Sequence, residues 1–231
     1  MLKLEQLVAT ERRYEARTEA RTAAEQALGT GGILYADSLE RVRRRLTRLA
    51  APAPAVAIAE PSPPSPDLIG LERLIGVSNF IDVRFLRLGV AVARTVARVV
   101  VKDASGLILE YGTGFLVAPR LLLTNHHVLE TPAQAAASAA EFGYEQDLTG
   151  RVQVGTSFGF DPDTLFVTDP ALDYTLVAVQ PHNADGATLD GIGWSRLVGQ
   201  EGKAIKGEFV NIIQHPGGQP KALAPARQPA D

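Results

Sequence analysis

Two short stretches carry the side chains best suited to chemistry. One is LLLTNHHVLE (121–130), where a run of leucines delivers an adjacent histidine pair, His126 and His127. The other is DYTLVAV (173–179), where Asp173 opens an apolar run 46 residues after His127. An imidazole can take up and return a proton near neutral pH, and a carboxylate beside it decides which ring nitrogen carries that proton. Such a pair serves hydrolysis when a nucleophile and donors for the developing oxyanion are at hand. The chain has no cysteine, which excludes a thiolate nucleophile, a thiolate metal site and a disulfide framework together. A zinc site built from His126, His127, His182 and His215 would be another use of the histidines. No short-range ligand motif such as HExxH supports it.

The elements that must position these groups read as β. A strand is expected at about Thr95–Lys102, followed by a tight turn at DASG (103–106) and the runs LILEY, GFLVA and LLLT. RVQVG, TLFVT, YTLVAVQ and FVNIIQ continue the pattern. Short strands punctuated by turn residues predict a barrel or sandwich rather than βαβ units. His127 then falls where a buried-type strand runs out, near the surface yet held by the core. The alanine-rich stretch 132–147 is expected to be a helical loop insertion, and GTG (112–114) a place of close backbone packing rather than a phosphate loop.

GTGFLVAPRLLLTNHHVL followed by DYTLVAV resembles the trypsin-like serine proteases, in their disulfide-free bacterial branch related to glutamyl endopeptidases. NIIQHPGG (211–218) is similar to the segment these enzymes place before their nucleophile loop. The resemblance implies a mainly β, chymotrypsin-like double β-barrel acting on protein or peptide substrates without a metal or organic cofactor. It implies His127 as general base and Asp173 as the acid that orients it, with His126 a structural neighbour and Asp169 a competing acid. The family's serine comes last, in a Gly-x-Ser-Gly loop. The only serine after Asp173 is Ser195, which is followed by Arg196 and precedes NIIQHPGG. The expectation is therefore a second barrel that is incomplete, and a serine endopeptidase by descent in which only His and Asp of the triad are present. Such a chain is inactive as it stands; its alternative role is a pseudoprotease that binds peptide or protein. The shift to Pro/Ala/Arg in the final residues fits a single-base frame change near Ala224, which would turn PARQPAD into LRDNRL.

Ahead of this domain (68–231), residues 1–50 read as a helical extension and 51–67, with six prolines in 51–66, as a linker. Tyr35, Leu39, Val42, Leu46 and Leu49 recur at spacings of four and three, the seam of a short coiled coil or helical hairpin. That seam implies self-association or an effector partner for residues 1–50. The cluster RVRRRLTR (41–48) is expected to be a solvated face. A net charge of −3 offers no general field for nucleic acid. The early charges of the N-terminus leave no signal-peptide core, and no apolar run could span a bilayer. The expected location is the cytoplasm.

Overall fold

In the computed structural model, residues 4–50, 83–208 and 210–225 are described. The expected linker (51–67) and the tail beyond residue 225 lie outside them. Seven strands form one antiparallel sheet: β1 (Val96–Lys102), β2 (Ile108–Ala118), β3 (Leu121–Thr124), β4 (Ala139–Phe142), β5 (Thr156–Gly159), β6 (Phe166–Asp169) and β7 (Tyr174–Ala178). Their order is β5-β4-β1-β2-β3-β7-β6. Past the end of β5 the chain returns to β7: Phe160 bridges Val179, Asp161 N–H donates to Ala178 O (2.8 Å), and Gln180 N–H donates to Gly159 O (2.9 Å). The sheet thus closes on itself as a barrel.

The interior follows the period of two that a strand imposes. Ala97, Val99 and Val101 of β1, Leu116 of β2, Leu122 of β3, Ala140 and Phe142 of β4, Phe158 of β5 and Val177 of β7 form one buried cluster with Phe160 and Val179. Phe142 and Phe158 meet edge to face at 6.0 Å. The branched side chains of VARVVVK suit a pleated surface, and this strand lies centrally, paired with both β2 and β4. The alanine-rich stretch differs from expectation. Only Pro132–Ala137 is helical, capped by Thr131 Oγ1, and Ala139–Phe142 is a strand of the barrel. Pairing with β1 and burial of Ala140 and Phe142 outweigh the helix preference of alanine.

Among the described residues, four α-helices precede or enter the barrel: α1 (Leu4–Glu15), α2 (Thr18–Gly31), α3 (Leu39–Ala50) and α4 (Arg84–Thr95). α4 passes into β1 without a loop, and the fully buried Thr95 at the joint donates its hydroxyl to Val92 O (2.8 Å). Only part of the expected seam is buried. Tyr35 and Leu39 are exposed, while Val42 packs with Ile205, Leu34 and Leu46. Of the arginines in 41–48, Arg43 lies on the expected solvated face, whereas Arg41, Arg44, Arg45 and Arg48 reach across to residues 200–208, Arg41 and Arg44 while remaining about half exposed.

A separate two-stranded sheet, β8 (Asn211–Gln214) with β9 (Ala222–Pro225), lies against the outside of the barrel. Its loop is clamped there. Arg98 Nη1 donates to Gly218 O (2.8 Å), and the Arg98 guanidinium lies 3.5 Å from the centre of the Tyr144 ring. Both Nε and Nη2 of Arg98 donate to Glu141 Oε2. A Cβ on Gly218 would stand 2.6 Å from the Tyr111 ring, so glycine is needed for this approach.

Candidate active site

The first half of the site is a turn fastened at both ends. β3 points Leu122 inward, and the Thr124 hydroxyl donates to Thr113 O (2.8 Å). The chain then makes one helical turn, with Val128 N–H and Leu129 N–H both donating to Asn125 O. Buried Val128 and Leu129 anchor its far side. Val128 lies directly over Gly112, where an added Cβ would be only 2.4 Å from Val128 Cγ1. GTG is thus a site of close packing, and it seats the turn that carries the histidine pair.

The second half is the turn between β6 and β7. Asp169 accepts from Ala171 N–H (2.8 Å) and Leu172 N–H (2.9 Å), so this competing acid serves its own turn. Asp173 follows with φ = 54°, a left-handed conformation that costs a residue with a Cβ about 1–2 kcal/mol. Asn125 supports it. Its side-chain amide donates to Asp173 O (3.1 Å) and Oδ2 (3.3 Å).

These two turns bring His127 and Asp173 together. Asp173 Oδ1 accepts from His127 N–H (3.1 Å), and the His127 Nδ1 lies 3.0 and 2.9 Å from Oδ1 and Oδ2. A carboxylate only accepts, so the arrangement favours the neutral tautomer with the proton on Nδ1, which leaves the Nε2 lone pair for a substrate proton. About a quarter of each side chain is exposed, enough for a substrate to reach the pair. The arrangement can hold an imidazole in a single tautomer and stabilise its protonated form.

His126 points elsewhere. Its Nδ1 is 2.7 Å from Thr168 Oγ1, which is itself 2.6 Å from Thr175 Oγ1, and Thr175 donates to Leu129 O (2.8 Å). This chain of bonds ties the histidine turn to β6 and β7. Nothing in the sequence marks Asn125, Thr168 and Thr175 as functional beyond the nearness of Asn125 to His127 and of Thr175 to Asp173, because the partners they support lie far along the chain. Ser195 is bound up at the root of the barrel: its Oγ is 3.1 Å from Thr95 Oγ1 and its N–H donates to Leu116 O. His182 bridges Thr188, and buried His215 has its Nδ1 3.0 Å from Gln219 O. Among the described residues no group of three or more His, Asp or Glu side chains could hold a metal ion.

Residues 112–227, half of the chain, match the trypsin-like peptidase domain. The chain belongs to that family. The mainly β barrel with a helical N-terminal part agrees with this membership, and the trypsin-like domain runs from Gly112 through the histidine turn and the β8–β9 hairpin. The chain is 41% identical over 156 residues to the uncharacterized protein y4fB of Sinorhizobium fredii. That alignment takes in 66% of this chain and 24% of y4fB, so the chain spans about a quarter of that relative's length. Among solved structures, the active form of the Rv3671c protease of M. tuberculosis aligns with 76% of this chain and 57% of its own, at 19% identity and a TM-score of 0.39. Among the described residues of this trypsin-like domain, no helix is long and apolar enough to cross a membrane.

Proposed function

We propose that the chain carries the base-and-acid half of a serine endopeptidase. The observation behind this reading is the contact of His127 Nδ1 with both carboxylate oxygens of Asp173, at 3.0 and 2.9 Å. In peptide hydrolysis Nε2 takes the proton of a serine hydroxyl as that oxygen attacks the scissile carbonyl. The imidazolium, steadied by Asp173, then delivers this proton to the leaving amine. Water repeats the sequence on the acyl-enzyme and releases the acid product. No Gly-x-Ser-Gly loop occurs in the 231 residues, and the Ser195 hydroxyl is engaged by Thr95.

Without a nucleophile, turnover falls by a factor on the order of 10⁶, about 8 kcal/mol of transition-state stabilisation. On this reading the 231 residues do not turn over peptide by themselves, and their alternative role is to bind peptide or protein. The same Ser195 observation favours the second reading, a pseudoprotease. We place either form in the cytoplasm, with the domain boundaries at 1–50, 51–67 and 68–231, and with self- or effector association through residues 1–50.

A fluorophosphonate probe tests the assignment. The 231-residue chain is expected to stay unlabelled, whereas a form extended with a Gly-x-Ser-Gly segment is expected to label only while His127 is intact. An adduct on the 231-residue chain would overturn the missing nucleophile. Labelling of the extended form that survives His127→Ala would overturn the role of His127, and an extended form that never labels would favour the pseudoprotease.

A further inference from the structure

Residues 200–208 form no helix or strand, yet Ile205 within them is buried. The cluster that covers it holds Val42, Leu34 and Leu46 and, among the described residues, nothing from the barrel core. The segment that leads into β8 therefore has its apolar anchor in the helical head. Polar contacts surround this anchor. Arg45 Nε donates to Glu208 Oε1 (2.8 Å), and both side chains are largely buried. Glu208 Oε2 accepts in turn from Ile205 N–H (2.9 Å), which shapes the segment around its anchor. Arg44 donates to Glu201 (3.0 Å), Arg41 to Ala204 O (3.3 Å), and Asp37 accepts from Lys206 N–H (3.2 Å).

The fit extends to the backbone. Gly202 has φ = 76°, and a Cβ there would lie 2.9 Å from both Arg44 C and Arg45 N. Because these are main-chain atoms of a helix, they cannot move aside as a flexible side chain would. The segment is shaped to receive a helix with apolar residues four apart and arginines on either side.

We propose that residues 200–208 are a docking surface for an arginine-bearing amphipathic helix, and that α3 is its resident ligand. The helical head is then a tethered clamp on the connection between barrel and β8–β9 hairpin. The surface is made of charge pairs around one isoleucine, so the clamp weakens with ionic strength. This inference stands independently of the peptidase reading, since it concerns contacts remote from His127 and its test reads no activity.

Hydrogen exchange on the intact chain is the test. Amides of 203–208 are expected to be protected in the wild type. Arg45→Glu sets two carboxylates face to face, and protection there is expected to fall about 30-fold or more while the β1 and β7 amides are unchanged. Adding Glu208→Arg restores the opposite charges and is expected to recover protection at Lys206 and at position 208, while the Ile205 amide, which loses its carboxylate acceptor, stays exposed. Gly202→Val provides a wedge without altering charge and is expected to expose the same amides. Exchange of 203–208 at unfolded-peptide rates in the wild type, or an unchanged pattern in Arg45→Glu, would overturn the proposal.

Discussion

Gly112→Ala tests how the histidine turn is seated. In the wild type the new methyl would lie 2.4 and 2.7 Å from Val128 Cγ1 and Cγ2, well inside contact distance. Val128 is buried and neighbours His127, so relief requires the turn itself to shift; overpacking of this kind costs about 1–3 kcal/mol. Against this, alanine narrows the unfolded ensemble relative to glycine and contributes about 0.4–1 kcal/mol of stability where the backbone accepts it. Gly112 pairs with Val99 inside β2 without a positive φ, so the backbone does accept it. The net expectation is a loss of about 1–2 kcal/mol. Val128→Ala alone costs about 2–3 kcal/mol for two lost methyl groups and the space they leave. In that background the nearest remaining atom, Val128 Cβ, is 3.1 Å away, and Gly112→Ala becomes neutral or stabilising by up to about 1 kcal/mol. Urea unfolding of the four proteins measures all these differences. The second substitution thus changes sign with the background. If Gly112→Ala destabilised both backgrounds equally, the two residues would not be in packing contact and the account of GTG would fail.

Asp173→Asn replaces an acceptor by a group that can donate to His127 Nδ1, and is expected to move the neutral ring's proton to Nε2. Nitrogen-15 shifts of His127 would show this, and an unchanged tautomer would sink the proposed orienting role. His215 is held below the usual histidine range chiefly by burial, with Arg98 and Lys221 adding to the shift while the Gln219 carbonyl and Glu141 oppose it. Its proton is therefore bound more readily in the unfolded chain, and stability falls as pH drops below about 6.5 until the folded value is reached. His215→Gln is expected to flatten that part of the stability–pH curve by up to about 1.4 kcal/mol per pH unit; an identical slope in both proteins refutes it. Arg98→Met strands the Glu141 carboxylate in a mostly buried place and is expected to cost about 3–5 kcal/mol, most of it regained in Arg98→Met/Glu141→Leu. Equal losses in the single and double variants by urea unfolding would show that the stranded charge is not the cause.

The parts of this molecule legible in its sequence are those whose cause is local. LLLT and YTLVAV declare their strands by composition, and the histidine and aspartate stand at the strand ends they mark. VARVVVK needs no partner to look like a strand. Contacts made at a distance were hidden. Ala139–Phe142 looks helical until it pairs with β1, 40 residues away in the chain. The arginines of α3 look solvated until Glu201 and Glu208 arrive, more than 150 residues later. Asn125 became a candidate for the site only once Asp173 was seen to be left-handed, because its amide acts on that carbonyl.

The two sheets differ in what they leave open. The barrel's strands meet around a full circle, so most of its backbone donors and acceptors are spoken for. The β8–β9 hairpin pairs only with itself among the described strands, and it shows Ile212 and Leu223 to solvent at 55% and 54% exposure. An unprotected edge flanked by apolar side chains is a template on which another chain can add a strand. The hairpin, about fifteen residues at one side, is therefore one hazard in handling this protein. A charged residue at Ile212 or Leu223 would blunt that edge and is expected to lessen association of concentrated preparations.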